Sequence, residues 1–161
     1  MAGGTETQRR VLVVDDEMHL RLFIKAVFES AGYETATARD GEEGLRKLAE
    51  FRPHLVSLDL MMPNQGGIRF LTELRADPAQ QNVKVLVVSA IEDETFRHSL
   101  ALLRATGGAQ GGLRGPDGYV EKPPTAHTLL NEAERILGQN PAADSSGTGH
   151  SAPANGEIKE E

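Results

Sequence analysis

Cysteine is absent from the 161 residues, which excludes disulfide frameworks, thiolate zinc sites and cysteine nucleophiles together. Long apolar runs are absent too. None approaches the roughly 18 residues of a membrane span, and the N-terminal MAGGTETQRR leads into only Val11 to Val14 before Asp15, too short a run for a secretory signal. Clustered positive charge is equally scarce: Arg9-Arg10 is the largest Lys/Arg cluster, and 24 acidic against 17 basic side chains leave a net charge of −7. Such a surface repels nucleic-acid phosphates. The expectation is a soluble, cytoplasmic protein with no membrane insertion and no nucleic-acid partner. At about 100–200 residues per domain the chain is one domain, and about 150 residues remove enough surface from water to need neither disulfide nor structural metal.

Both ends read as disordered. Residues 1–8 carry no periodic apolar pattern, and 139–161 hold Ile158 as their only large apolar side chain, too little to offset the entropy of ordering. The folded part is therefore expected over 9–138. Inside it, short β-branched runs alternate with helical patterns. Val11 to Val14 is a continuous apolar run, the mark of a strand buried on both faces of a parallel sheet. Leu20, Phe23, Ile24, Val27, Phe28 and Ala31 then keep helical spacing, and Gly32 stands where a helix should be capped. Tyr33 to Ala38 predicts a second strand, and Asp40 caps a helix carrying Leu45, Leu48 and Ala49 that Pro53 stops. Leu55 to Leu58 and Val83 to Val88 predict strands three and four, with a helix around Ile68, Leu71 and Leu74 between them. A helix follows over 93–104. Tyr119 to Glu121 is a short fifth strand, and Leu129, Leu130, Ala133, Ile136 and Leu137 mark a last helix ending at Gly138. Five alternating units imply an α/β fold: a doubly wound, five-stranded parallel sheet flanked by five helices.

In such a sheet ligands bind at the carboxyl ends of the strands. Asp15 and Asp16 follow strand one, Asp59 ends strand three, Ser89 ends strand four, and Lys122-Pro123 follows strand five. Three carboxylates, a hydroxyl and an ammonium thus fall on one rim. Three carboxylates within a few ångströms require a cation to stay ionised, and an all-oxygen donor set suits Mg²⁺ beside a phosphoryl group. The ammonium and hydroxyl can then serve phosphoryl oxygens. Together these groups fit phosphoryl transfer onto a carboxylate.

The segments VLVVDDE (11–17), SLDLMMP (57–63) with Gly67 beyond, VVSA (87–90) and GYVEKP (118–123) together resemble the receiver domain of two-component response regulators over Arg9 to Gly138. The resemblance implies the flavodoxin-like, chemotaxis-regulator-like strand order 2-1-3-4-5. It implies Asp59 as phospho-acceptor, and Asp16, supported by Asp15, holding Mg²⁺ with Asp59 and the backbone carbonyl of Met61. Ser89 would be the switch hydroxyl, Lys122 the ammonium on the phosphoryl group, and Tyr119 the aromatic switch. A sensor histidine kinase or phosphotransfer protein would be the donor, and a downstream protein the target.

Each residue also has a plainer reading. Asp15-Asp16 can cap the next helix, Asp59 can open an ordinary loop, Lys122-Pro123 can be a surface turn, and a lone tyrosine is commonly core; five matches at five strand ends favour the joint reading. His19, His54, His98, His127 and His150 lack partnering spacing and are read as neither ligand nor base. Haloacid-dehalogenase-like phosphatases also use an aspartate after a strand, but with a second aspartate two residues on, where this chain has Met61. A receiver-like scaffold that is never phosphorylated is the third alternative. Two departures from the family stand out. Ser89 and Lys122 are 33 positions apart, roughly ten more than usual, the surplus falling in the glycine-rich 106–118, which predicts a flexible loop. Gln65-Gly66 also replaces a more usual apolar-acidic pair before Gly67. With 23 residues after Gly138, too few and too polar for a helix-turn-helix, the expectation is a stand-alone response regulator, not a turnover enzyme, whose output is protein binding or phosphorelay.

Overall fold

Alternate residues of Val11–Val14 enter two different cores, which is why the run is unbroken rather than alternating. The computed structural model describes residues 7–90, 94–95, 97–98, 101 and 114–138. Five strands, β1 (Arg10–Val14), β2 (Glu34–Ala38), β3 (Leu55–Leu58), β4 (Lys84–Ser89) and β5 (Gly118–Glu121), form one parallel sheet in the order β2-β1-β3-β4-β5. The α-helices among the described residues are α1 (Met18–Ser30), α2 (Gly41–Phe51), α3 (Gly66–Ala76) and α4 (Ala126–Gly138). On one face Leu48 of α2 and Phe70, Leu71 and Leu74 of α3 cover Leu12, Val14, Val56, Leu58, Val85 and Val87. On the other, Ile24, Val27 and Phe28 of α1 and Leu129, Ala133 and Ile136 of α4 cover Val11, Val13, Leu55, Leu86, Val88 and Val120. This is the expected doubly wound sheet. The helix expected over 93–104 falls largely outside the described residues, within which Glu94, Thr95, Arg97, His98 and Ala101 are helical. Residues 1–6, 139–161 and 106–113 also lie outside them.

Helix ends follow the local chemistry. Asp40 accepts the Glu43 N–H at 2.8 Å and caps α2, a contact worth about 1 kcal/mol. Gly32, at φ +91°, takes the left-handed conformation that ends α1; Tyr33 N–H returns to Phe28 O and Gly32 N–H to Glu29 O, while the Tyr33 ring meets Phe28 edge-on at 5.4 Å.

At the amino edge of the sheet, Arg10 N–H donates to His54 Nδ1 at 3.0 Å, and the Arg10 guanidinium clasps the carbonyls of Phe51 and Arg52 that end α2. Burial, then the charges of Arg10 and Arg9, push the His54 imidazole below its ordinary 6.5. The unfolded chain therefore binds this proton at a higher pH than the folded one, so the His54 contribution is intact above pH 6.5 and is lost as the pH falls below it. His54→Asn keeps an acceptor for Arg10 N–H without titrating. Its melting temperature should fall less steeply than wild type as the pH drops below 6.5, in thermal scans; parallel curves would remove His54 as the cause.

Candidate functional site

At the carboxyl rim β1, β3 and β5 are each prolonged by one ladder hydrogen bond, and that bond sets the next residue in place. Asp15 N–H donates to Ala38 O (3.1 Å), Asp59 N–H to Val14 O (3.0 Å) and Lys122 N–H to Ser89 O (2.9 Å). Because the strands are parallel, these residues meet. The Lys122 ammonium lies 3.2 Å from Asp15 Oδ2 and 3.2 Å from Asp59 Oδ2. Asp15, Asp16 and Asp59 can each bring a carboxylate oxygen within 4.8 Å of the others. Asp15 and Asp59 are buried, whereas Asp16 faces solvent.

Charge in this cluster is only partly balanced, since one ammonium faces three carboxylates. Burial raises the Asp15 pKa, and the Asp59 charge adds to this, against the Glu17 N–H on Asp15 Oδ1 (2.9 Å) and Lys122. Burial also works against the Lys122 charge, but Asp15 and Asp59 outweigh it and hold the ammonium above its usual pKa. Asp15 Oδ2 is buried and, among the described residues, meets the Lys122 ammonium at 3.2 Å without an aligned hydrogen bond. A buried carboxylate oxygen whose ammonium neighbour is shared with a second carboxylate, in an all-oxygen set with a solvent-facing third member, fits a hard divalent cation.

The remaining residues singled out in the sequence join the same rim. Met61 N–H donates to Asp59 Oδ1 at 2.9 Å, while its side chain is 60% exposed. Ser89 is fully buried and its Oγ has no partner among the described residues, an omission that costs about 1–3 kcal/mol unless another group completes it. Its carbonyl is doubly engaged, by Lys122 N–H and by the Tyr119 hydroxyl at 3.2 Å. Tyr119 is half-buried against the α2–α3 core. Gly67 leaves no room for a side chain: a Cβ there would lie 2.4 Å from Asp59 O and 2.5 Å from Leu60 Cα, so the first turn of α3 presses directly on the chain leaving β3. Arg21, which no sequence pattern singled out, donates from Nη1 to Asp15 O at 2.8 Å and braces the Asp15–Asp16 turn from α1.

The family model described as the response regulator receiver domain matches residues 11–134. Response regulator RR06 of Streptococcus pneumoniae is 40% identical over 127 residues, spanning 79% of this chain and 52% of that protein, so the chain covers about half of that relative's length. Chemotaxis protein CheY of Thermotoga maritima is 39% identical over 90 residues, 55% of this chain and 72% of that one. Among solved structures, the chemotaxis response regulator CheY4 of Vibrio cholerae superposes with a TM-score of 0.68 at 26% identity, over 81% of this chain and 99% of its own.

Proposed function

As the chain belongs to the response regulator receiver domain family, whose members are phospho-acceptor signalling domains, we propose that it takes a phosphoryl group onto Asp59 in an Mg²⁺-dependent reaction and thereby switches its affinity for a protein partner. The observation that carries this reading is the Lys122 ammonium held 3.2 Å from both Asp15 and Asp59. Strand β3 lies between β1 and β4, so Asp59 stands between the acids that follow β1 and the hydroxyl that ends β4. A carboxylate oxygen of Asp59 forms the new P–O bond as the donor's bond to phosphorus breaks; with acetyl phosphate the leaving group is acetate. Lys122 neutralises one phosphoryl oxygen, and Ser89 Oγ, buried without a partner among the described residues, donates to another. Asp15, Asp16, Asp59 and the Met61 carbonyl would hold Mg²⁺. When bound, the ion neutralises charge on the transferring group.

Donor and output follow the same logic. A sensor histidine kinase or phosphotransfer protein is the proposed donor. Met18 and Leu22 of α1 and Met61 leave apolar side chains exposed within a short distance in sequence of Asp16 and Asp59, a rim such a donor can cover. An output through protein contact rather than nucleic acid is the reading that the net charge of −7 supports, since such a surface repels phosphates. Among the described residues no helix is long and apolar enough to cross a membrane. Turnover of a phosphatase kind is disfavoured by Met61, a side chain that cannot transfer protons.

The test is incubation of the full chain with Mg²⁺ and acetyl phosphate, followed by intact mass. One base-labile phosphoryl adduct that needs Mg²⁺ is expected, and none would overturn the reading. The switch has its own test. If Ser89 Oγ turns to the phosphoryl group, the Ser89 main chain and the Tyr119 hydroxyl bound to it shift together. Ser89→Ala should keep the adduct and lose most of the phosphorylation-induced change in tyrosine fluorescence. A full response in that variant would move the switch elsewhere.

A further inference from the structure

At the edge of the sheet opposite the acids, a buried ion pair joins α3 to the start of β5. The side chains of Arg75 and Asp117 are 2% and 13% exposed and 2.9 Å apart. Arg75 also donates to Val83 O (2.8 Å) and Gly115 O (3.2 Å). Asp117 is bonded to Val85 in both directions, its N–H to Val85 O and its Oδ2 to Val85 N–H, each at 2.8 Å. Arg114 holds Oδ1, and Arg135 of α4 donates to the Asp117 carbonyl at 3.0 Å. The carboxylate thus serves as an extra rung of the β4–β5 ladder, held by the guanidinium groups of Arg75 and Arg114, while Arg135 holds the main chain of the same residue. Burial opposes its charge, but Val85 N–H, Arg114 and Arg75 together hold its carboxyl below the usual range.

Strand β5 has little else to set its register. It is four residues long, lies at the sheet edge, and buries only Val120. Its lead-in over 106–116 holds five glycines. Register is weakly specified where few side chains are buried, and a slip of two residues moves every later residue by about 6.6 Å. That displacement is twice the contact distance between Lys122 and its two carboxylates. A one-residue slip turns Lys122 to the other face.

We propose that Asp117, clamped by Arg75, is a positioning residue for Lys122: it pins β5 to Val85 so that the ammonium five positions on reaches Asp15 and Asp59 irrespective of the glycine-rich segment before it. The proposal rests on the reading of Lys122 as the group that meets the phosphoryl oxygens. It explains why ten surplus residues are compatible with an intact rim, and it uses the described end of that segment: Arg114 and Asp117 are hydrogen-bonded and Gly118 is already strand, where the sequence predicted only a loop.

The experiment measures initial rates of adduct formation with acetyl phosphate at saturating Mg²⁺, together with Mg²⁺ affinity, in the full chain. Asp117→Ala should slow the reaction on the order of tenfold while Mg²⁺ affinity stays within about twofold, because misplacing a reacting group by about 1 Å can cost up to a hundredfold in rate. Asp117→Asn, which keeps an acceptor for Val85 N–H and removes the charge, should be intermediate, and it serves if the alanine variant does not fold. In a Lys122→Ala chain neither substitution should slow the reaction further. Equal slowing in both backgrounds, or no slowing in either, overturns the proposal and leaves the pair a purely structural tie. A Lys122→Ala chain as fast as wild type would instead overturn the role of Lys122, and a wild-type chain without adduct the acceptor reading, each taking the proposal with it.

Discussion

Asp59→Asn should abolish the Mg²⁺-dependent phosphoryl adduct entirely while leaving the fold as stable as wild type or more so. The amide is nearly isosteric and retains an oxygen that can accept the Met61 N–H now bound to Asp59 Oδ1, so the chain leaving β3 keeps its path. What disappears is the anionic oxygen 3.2 Å from Lys122, the proposed nucleophile. At the same time one of three mutually repelling carboxylates is removed, and the contribution of Asp59 to the raised Asp15 pKa goes with it. Relief of such a buried like charge is worth on the order of 1 kcal/mol, or about 2–4 °C in melting temperature for a chain of this size. Intact mass and a thermal scan on the same sample separate the two effects. An adduct that survives in the variant would place the acceptor elsewhere, and Asp15 would be the next carboxylate to substitute.

Gly67→Ala should be the most damaging single-methyl substitution near the site. The added carbon would lie 2.4 Å from Asp59 O and 2.5 Å from Leu60 Cα, both main-chain atoms that cannot swing aside. Overpacking of this kind costs about 1–3 kcal/mol and sometimes more, against a gain of about 1 kcal/mol from replacing glycine by alanine in a helix. The cost dominates, because relief requires α3 to withdraw from the chain that carries Asp59. A net loss of about 2 kcal/mol corresponds to a melting temperature lower by about 4–8 °C. The rate of adduct formation should fall as well. Gly138→Ala, whose methyl would meet nothing within 4 Å, is the control and should stay within about 0.5 kcal/mol of wild type. Equal melting temperatures for the two variants would show that the loop after β3 yields freely.

Much of this molecule is legible along the chain. The β-branched runs and helical spacings found all five strands, and the boundaries moved by only a residue, as at Arg10 and Ser89, where a ladder hydrogen bond rather than an apolar side chain ends the strand. Strand order needed the family resemblance, since alternation alone allows several windings. The rim was legible for a geometric reason: in a parallel sheet all carboxyl ends face one way, so Asp15, Asp59, Ser89 and Lys122 had to converge once their strands were recognised. Asp40 and Gly32 were legible because capping acts within a few residues.

Contacts between distant segments were not. Arg75 follows Leu71 by four positions on the buried stripe of α3, a hint that its charge is buried, yet nothing local pairs it with Asp117, 42 positions on. Gly67 reads as a motif glycine, but only packing shows that main-chain atoms occupy the space of its Cβ. Arg21 reads as a helix-surface cation until the fold sets its guanidinium against the Asp15 carbonyl. Local pattern reports hydrogen bonding and burial averaged over neighbours, so strands, caps and the residues that end them follow from the amino-acid order. Which charge meets which carboxylate depends on how far the sheet twists and how closely the helices approach, and tertiary packing alone decides that.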